Sequence, residues 1–121
     1  MRVAPARKVR KLRSTRKRPE IDMRTLFVQA AGAAQLLKLL GNKHRLLILC
    51  CLMIRREMTV GEIVSAIGLS PSAVSQHLAR LRGDGLVTFR RTSQVLHYRI
   101  ADDRAASVVD VLKDLYCGAA P

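Results

Sequence analysis

At 121 residues, 49% of them apolar but with only two Phe, two Tyr and no Trp, the chain suffices for one domain whose core is built from aliphatic side chains. A formal charge of +13 points to a polyanionic partner, nucleic acid first and an anionic membrane surface second. Three cysteines, no secretory signal and no apolar run of bilayer-spanning length argue against a disulfide-stapled secreted scaffold or a membrane protein, and indicate a reducing cytoplasm.

The charge is unevenly spread. Nine of the 22 Lys and Arg residues precede Pro19 with no acid among them, so the remaining 13 face all nine acids. Residues 1–22 are therefore read as a basic, disordered tail, and residues 23–118 as the folded domain. The tail is open to several readings: an arm that holds DNA phosphates, an inert leader, an upstream mis-start ahead of Met23, or an Arg-rich organelle presequence.

Asp22 can cap a helix to about Leu40, with Met23, Leu26, Phe27, Ala30, Ala34 and Leu37 along one side. Gly41-Asn42 breaks it, and Asn42 caps a second helix that is apolar on every side from Leu46 to Ile54, the pattern of a buried central element. After a connector from Arg55 to Met58, Thr59-Val-Gly-Glu62 forms a capping box that opens a short helix through Ile67, with Val60, Ile63, Val64 and Ile67 inward.

Gly68-Leu69 links this helix to LSPSAVSQHLARLRGDGLV, the stretch Leu69 to Val87. Ser70 is an N-cap and Pro71 stands at the first helical position, where its missing N–H costs nothing. Val74, Leu78 and Leu81 recur on one stripe, and Gly83 and Gly85 end the helix. Two short helices across a Gly-containing turn, the second with a polar face, make a helix-turn-helix. On that face Ser72, Ser75, Gln76 and His77 are expected at base edges, with Ser70 and Arg80 nearer phosphates.

After Gly85 the period changes to two. Leu86 to Arg91 and Val95 to Ile100 read as a hairpin with Leu96, Tyr98 and Ile100 on one face, and with Arg90 and Arg91 at its tip beside Thr92, Ser93 and Gln94. A basic hairpin directly after a recognition helix is a wing, so Arg90, Arg91 and Gln94 join the expected DNA contacts. A last helix starts at Asp102 or Asp103, with Val108, Val111, Leu112 and Leu115 as its stripe, and ends at Tyr116-Cys117-Gly118. The expected fold class is mainly α with a β-hairpin wing, ordered helix, helix, helix, helix, strand, strand, helix.

From about Leu36 to Cys117 the chain resembles the ArsR family of winged-helix repressors, through LGNKHRLLIL, EMTVGEIVSAIGLSPSAVSQHLARLRGDGLV and VLHYRI. The resemblance implies a homodimer joined through the first and last helices. It also implies binding to an inverted-repeat operator in the chain's own promoter, and release of that DNA by an inducer.

Family members that sense arsenite, lead or cadmium often carry two cysteines in the short helix before the recognition helix, where this chain has Thr59 and Gly61. Members that sense zinc, nickel or cobalt often use an Asp/His set on the last helix, which here has Asp102, Asp103, Asp110 and Asp114 but no His. His44, His77 and His97 sit in different elements, and none pairs at ligand spacing. No metal site and no cofactor is expected.

LLILC and LYC, ending at Cys50 and Cys117, look like the dithiol of the persulfide-responsive subgroup of this family, the BigR and SqrR type. That resemblance implies a redox switch in which a sulfane-sulfur donor leads to a bridge between Cys50 and Cys117 and the DNA is released. On residue type alone, free cysteines also serve as small core hydrophobes. Cys51 points about 100° away from Cys50 and is read as packing. The competing readings are a metal-responsive repressor of the same family and a thiol-dependent redox enzyme. The enzyme would want a CxxC or a helix-N-terminal thiolate, and the chain has no CxxC.

Overall fold

The structure, a computed structural model, describes residues 20–118. Its elements are α1 (Met23–Leu40), α2 (Lys43–Arg55), α3 (Val60–Ile67), α4 (Pro71–Gly83), β1 (Val87–Thr92), β2 (Val95–Ile100) and α5 (Asp103–Tyr116). This is a winged helix-turn-helix, with five helices and one two-stranded antiparallel hairpin among the described residues. The reading of residues 1–19 as a tail lies outside the described residues.

Each helix begins where a side chain replaces a missing backbone partner. The Asp22 carboxylate accepts from Thr25 N–H at 2.9 Å, and the Asn42 amide oxygen accepts from His44 and Arg45 N–H, both at 3.0 Å. Thr59 Oγ1 accepts from Glu62 N–H while the Glu62 carboxylate accepts from Thr59 N–H, the reciprocal pair of a capping box. Ser70 Oγ accepts from Ala73 N–H, and Asp102 accepts from Arg104 and Ala105 N–H. At the other end of α1, Arg45 Nε donates to the orphan Leu39 carbonyl at 2.9 Å. Gly68, at φ +79°, takes the left-handed conformation that lets α3 stop and α4 turn away.

The chain divides into two units, residues up to Ala33 and residues from Ala34 onward. In the first, the α1 side carrying Met23, Leu26 and Phe27 is exposed, Phe27 at 74%. In the second, the core joins Leu39 and Leu40 to Ile48, Leu49 and Leu52 of α2, Ile63 of α3 and Val74, Leu78 and Leu81 of α4. Met58, Leu86, Val87, Tyr98, Ala105 and Val109 complete it. Each fully buried Leu or Ile contributes about 1.5–3 kcal/mol. No polar or charged residue is buried among the described residues.

Three expectations are corrected. First, α2 is not buried on every side: Ile48, Leu49 and Leu52 face the core, whereas Ile54 is 68% exposed and Leu46, Cys50, Cys51 and Met53 are half-buried. In α3 the inward reading holds: Ile63 is fully buried, and Val60, Val64 and Ile67 are half-buried against the core. Second, the inward residues of α5 are Ala105 and Val109, while Val108, Val111, Leu112 and Leu115 are half-buried. An apolar stripe wider than the core it meets leaves one flank facing out of the single chain.

Third, β1 starts at Val87 and runs to Thr92, so Arg90 pairs with His97 and Arg91 with Leu96 inside the ladder instead of at the tip. The tip is Ser93-Gln94. Ser93 takes φ +55°, which closes a two-residue turn without a glycine and carries the ladder further out. Met58 adds a short third rung: its N–H donates to the Tyr98 carbonyl at 3.1 Å and its carbonyl accepts from Tyr98 N–H at 2.8 Å.

Candidate nucleic-acid interface and thiol pair

Helix α4 is held from behind by Val74, Leu78 and Leu81, at 0%, 1% and 0% exposure. The same periodicity turns Ser72, Ser75, Gln76 and Ala79 outward on one exposed face. Three short side chains around one amide let that face approach a surface closely, with Gln76 supplying paired donor and acceptor. Ala79 is an addition to the expected set.

The remaining expected contacts are differently occupied. The Ser70 hydroxyl is taken by its helix cap. Arg80 Nε lies 3.4 Å from Asp84 Oδ2, one turn on. His77 sits on the flank, half-buried, its ring centroid 6.0 Å from that of His44 at the start of α2. The two histidines belong to different elements, and it is the packing of α2 against α4 that brings them into proximity. Burial first, then the charges of Arg45 and His44, holds the His77 imidazole below its usual range.

On the wing, Arg91 and Gln94 are exposed. Arg90 is engaged with Glu57 through three hydrogen bonds of 3.0–3.1 Å. Arg82, also outside the expected set, stacks its guanidinium over the Phe89 ring. Neither Glu57 nor Arg82 carries a local signal, because each partner belongs to another element.

The thiols lie on α2 and α5, two helices packed against each other. Cys50 is half-buried and Cys117, at the C-cap of α5, is exposed; all three cysteines are free. Burial is the largest influence that pushes the Cys50 thiol up, with the Cys51 and Cys117 charges adding to it and Lys113 opposing them. The end of α5 thus lies within electrostatic reach of Cys50. Burial also raises Cys51, opposed by Arg55. Among the described residues no three His, Cys, Asp or Glu side chains cluster as a metal site, and no helix is long and apolar enough to cross a membrane.

Residues 42–88 match the family profile described as bacterial regulatory protein, arsR family. The chain is 40% identical over 99 residues to the transcriptional activator HlyU of Vibrio cholerae, covering 82% of this chain and 91% of that one. It is similar to the solved structure of reduced HlyU from Vibrio cholerae, with a TM-score of 0.74 and 41% identity over 78% of this chain and 99% of that one. It is also similar to the crystal structure of the transcriptional repressor BigR from Xylella fastidiosa, with a TM-score of 0.72 and 33% identity over 80% and 98% of the two chains.

Proposed function

Because this chain belongs to the arsR family of bacterial regulatory proteins, and is accordingly a DNA-binding transcriptional regulator and not an enzyme, we propose that it is a homodimeric repressor switched by its thiols. In the reduced form the exposed face of α4 reads base edges through Ser72, Ser75 and Gln76. His77 flanks that face, and Ser70, Arg80, Arg90, Arg91 and Gln94 lie toward the backbone. Dimerisation through α1 and α5 accounts for apolar residues left exposed on both, such as Phe27 and Tyr116. Two α4 helices related by a two-fold axis match an inverted repeat with half-sites one turn apart.

The observation that carries the switch is that Cys50 and Cys117 belong to two helices packed against each other, with both thiols free. A persulfide donor RSSH transfers its outer sulfur to Cys117, giving the Cys117 persulfide and RSH. The Cys50 thiolate then attacks the inner sulfur, expels hydrosulfide and leaves a Cys50–Cys117 disulfide; two persulfides condensing with loss of hydrogen sulfide leave a trisulfide instead. Either bridge ties a core helix to the dimerisation helix, shifts the spacing of the two reading helices and costs affinity.

Intact-mass spectrometry of reduced protein treated separately with organic persulfide, organic disulfide, peroxide and zinc, alongside binding to the duplex upstream of its own gene, tests this. The reading expects a bridged species and DNA release with persulfide, and no release with zinc. Release by zinc with all thiols free would favour the metal-responsive alternative.

A further inference from the structure

The outer face of the wing is basic apart from one carboxylate that comes from elsewhere. Residues 87–100 contain no acid. Cross-strand partners share a face, so Arg90 with His97 and Thr88 with Arg99 point the same way. Met58 pairs with Tyr98 on the inward face, which turns the preceding Glu57 outward toward these bases. There the Glu57 carboxylate accepts from Arg90 Nε at 3.1 Å and 3.0 Å and from Arg90 Nη2 at 3.0 Å, a two-pronged pairing with one guanidinium edge. A backbone phosphate offers a guanidinium the same two-oxygen geometry.

We propose that Glu57 is a stand-in for a DNA phosphate: in the DNA-free protein it occupies the edge of Arg90 that a backbone phosphate takes over when the wing meets a duplex. Glu57 therefore lowers affinity for DNA of any sequence and leaves discrimination to α4. This rests on the wing facing DNA. The pair opens easily because it is exposed, with 53% of the Arg90 and 31% of the Glu57 side chain accessible. The released carboxylate is not stranded, since His97 and Arg99 also act on it. The Arg90 hydrogen bond foremost holds Glu57 below its ordinary range; burial opposes it, and the charges of Arg90, His97 and Arg99 add to the lowering. Glu57 is therefore ionised, and competes with phosphate, throughout the neutral range.

The test is binding of a labelled random-sequence duplex across a salt series, for the full chain and for Glu57→Gln, with thermal melting as the check on folding. Glu57→Gln is expected to bind about three- to tenfold more tightly at low salt, with a nearly unchanged salt slope, because Arg90 meets the same phosphate in both proteins once bound. Adding Arg90→Ala should remove that gain. A folded Glu57→Gln that binds no better than the natural chain, or a gain that survives Arg90→Ala, overturns the proposal. If Glu57→Gln does not fold, the Arg90 Nε–H resonance of the natural chain decides: it must move when the random duplex is added, and a fixed resonance while wing neighbours shift overturns the proposal. A natural chain that binds neither the random duplex nor the duplex upstream of its gene refutes the DNA-facing wing as well.

Discussion

The guanidinium of Arg82, in the last turn of α4, lies over the ring of Phe89 in β1 at 4.5 Å from its centroid. Phe89 in turn meets Tyr98 edge-on at 5.3 Å between centroids, and Tyr98 is in the core. Helix α4 and the wing are thus braced by a stack anchored in the core, so the two elements proposed to meet DNA hold a fixed relation. An exposed cation such as Arg82 over a half-buried ring contributes about 0.5–1 kcal/mol. Arg82→Ala should lower thermal stability slightly but weaken operator binding more than that loss explains. Melting and binding measured on one preparation check it, and equal small losses in both would make the stack a purely structural brace.

Gln76 carries the one amide on the exposed α4 face, able to donate and accept at the same time toward a single base edge. Gln76→Ala should cost about 1–3 kcal/mol on the operator and much less on random duplex. Arg91→Ala, by contrast, should weaken both and flatten the salt dependence, as loss of a phosphate contact does. Competition binding between the two duplexes measures the ratio. An unchanged ratio for Gln76→Ala would mean that α4 is misassigned as the reading element.

How much of this was legible in the chain follows from the range over which each signal acts. Asp22, Asn42, Thr59, Ser70 and Asp102 act within three residues, so every helix start could be read directly. Val74, Leu78 and Leu81 also follow from local periodicity, which is why the interior side of α4 was readable. The partner of Arg90 was not, because Glu57 lies 33 residues away and reaches it only through the Met58–Tyr98 rung. His44 and His77 meet for the same non-local reason. Periodicity likewise could not say which flank of the broad α5 stripe faces the core; only packing against α2 selects Ala105 and Val109 over Val108 and Val111.

His77 gives a pH dependence of definite sign. Its imidazole titrates below the ordinary 6.5, through burial first and then Arg45 and His44. The folded state therefore binds fewer protons than the unfolded one, and this contribution to stability is present above the unfolded value. It is lost as the pH falls from about 6.5 through the lower folded value. The effect is small because the ring is only partly covered. Between about pH 7.5 and 5.5 the natural chain should lose more melting temperature than His77→Gln. Parallel curves for the two would remove His77 from the account.

The thiol switch makes the most demanding prediction. Cys117 is exposed and Cys50 half-buried with a raised pKa, so Cys117 should acquire sulfur first and Cys50 should resolve the adduct. Resolution needs the Cys50 thiolate, so at saturating persulfide the bridging rate should climb with pH toward the raised Cys50 range, past the ordinary 9.0. Stopped-time alkylation followed by mass spectrometry measures that rate. A hundredfold loss of operator affinity on bridging requires only about 2.7 kcal/mol of preference for the unbridged form on DNA. Cys50→Ser and Cys117→Ser should each bind the operator and ignore persulfide, with Cys117→Ser forming no bridged species and Cys50→Ser trapping the Cys117 persulfide. Cys51→Ser should respond like the natural chain. Persulfide that still releases Cys117→Ser from the operator would end the dithiol mechanism while leaving the DNA-reading face of α4 untouched.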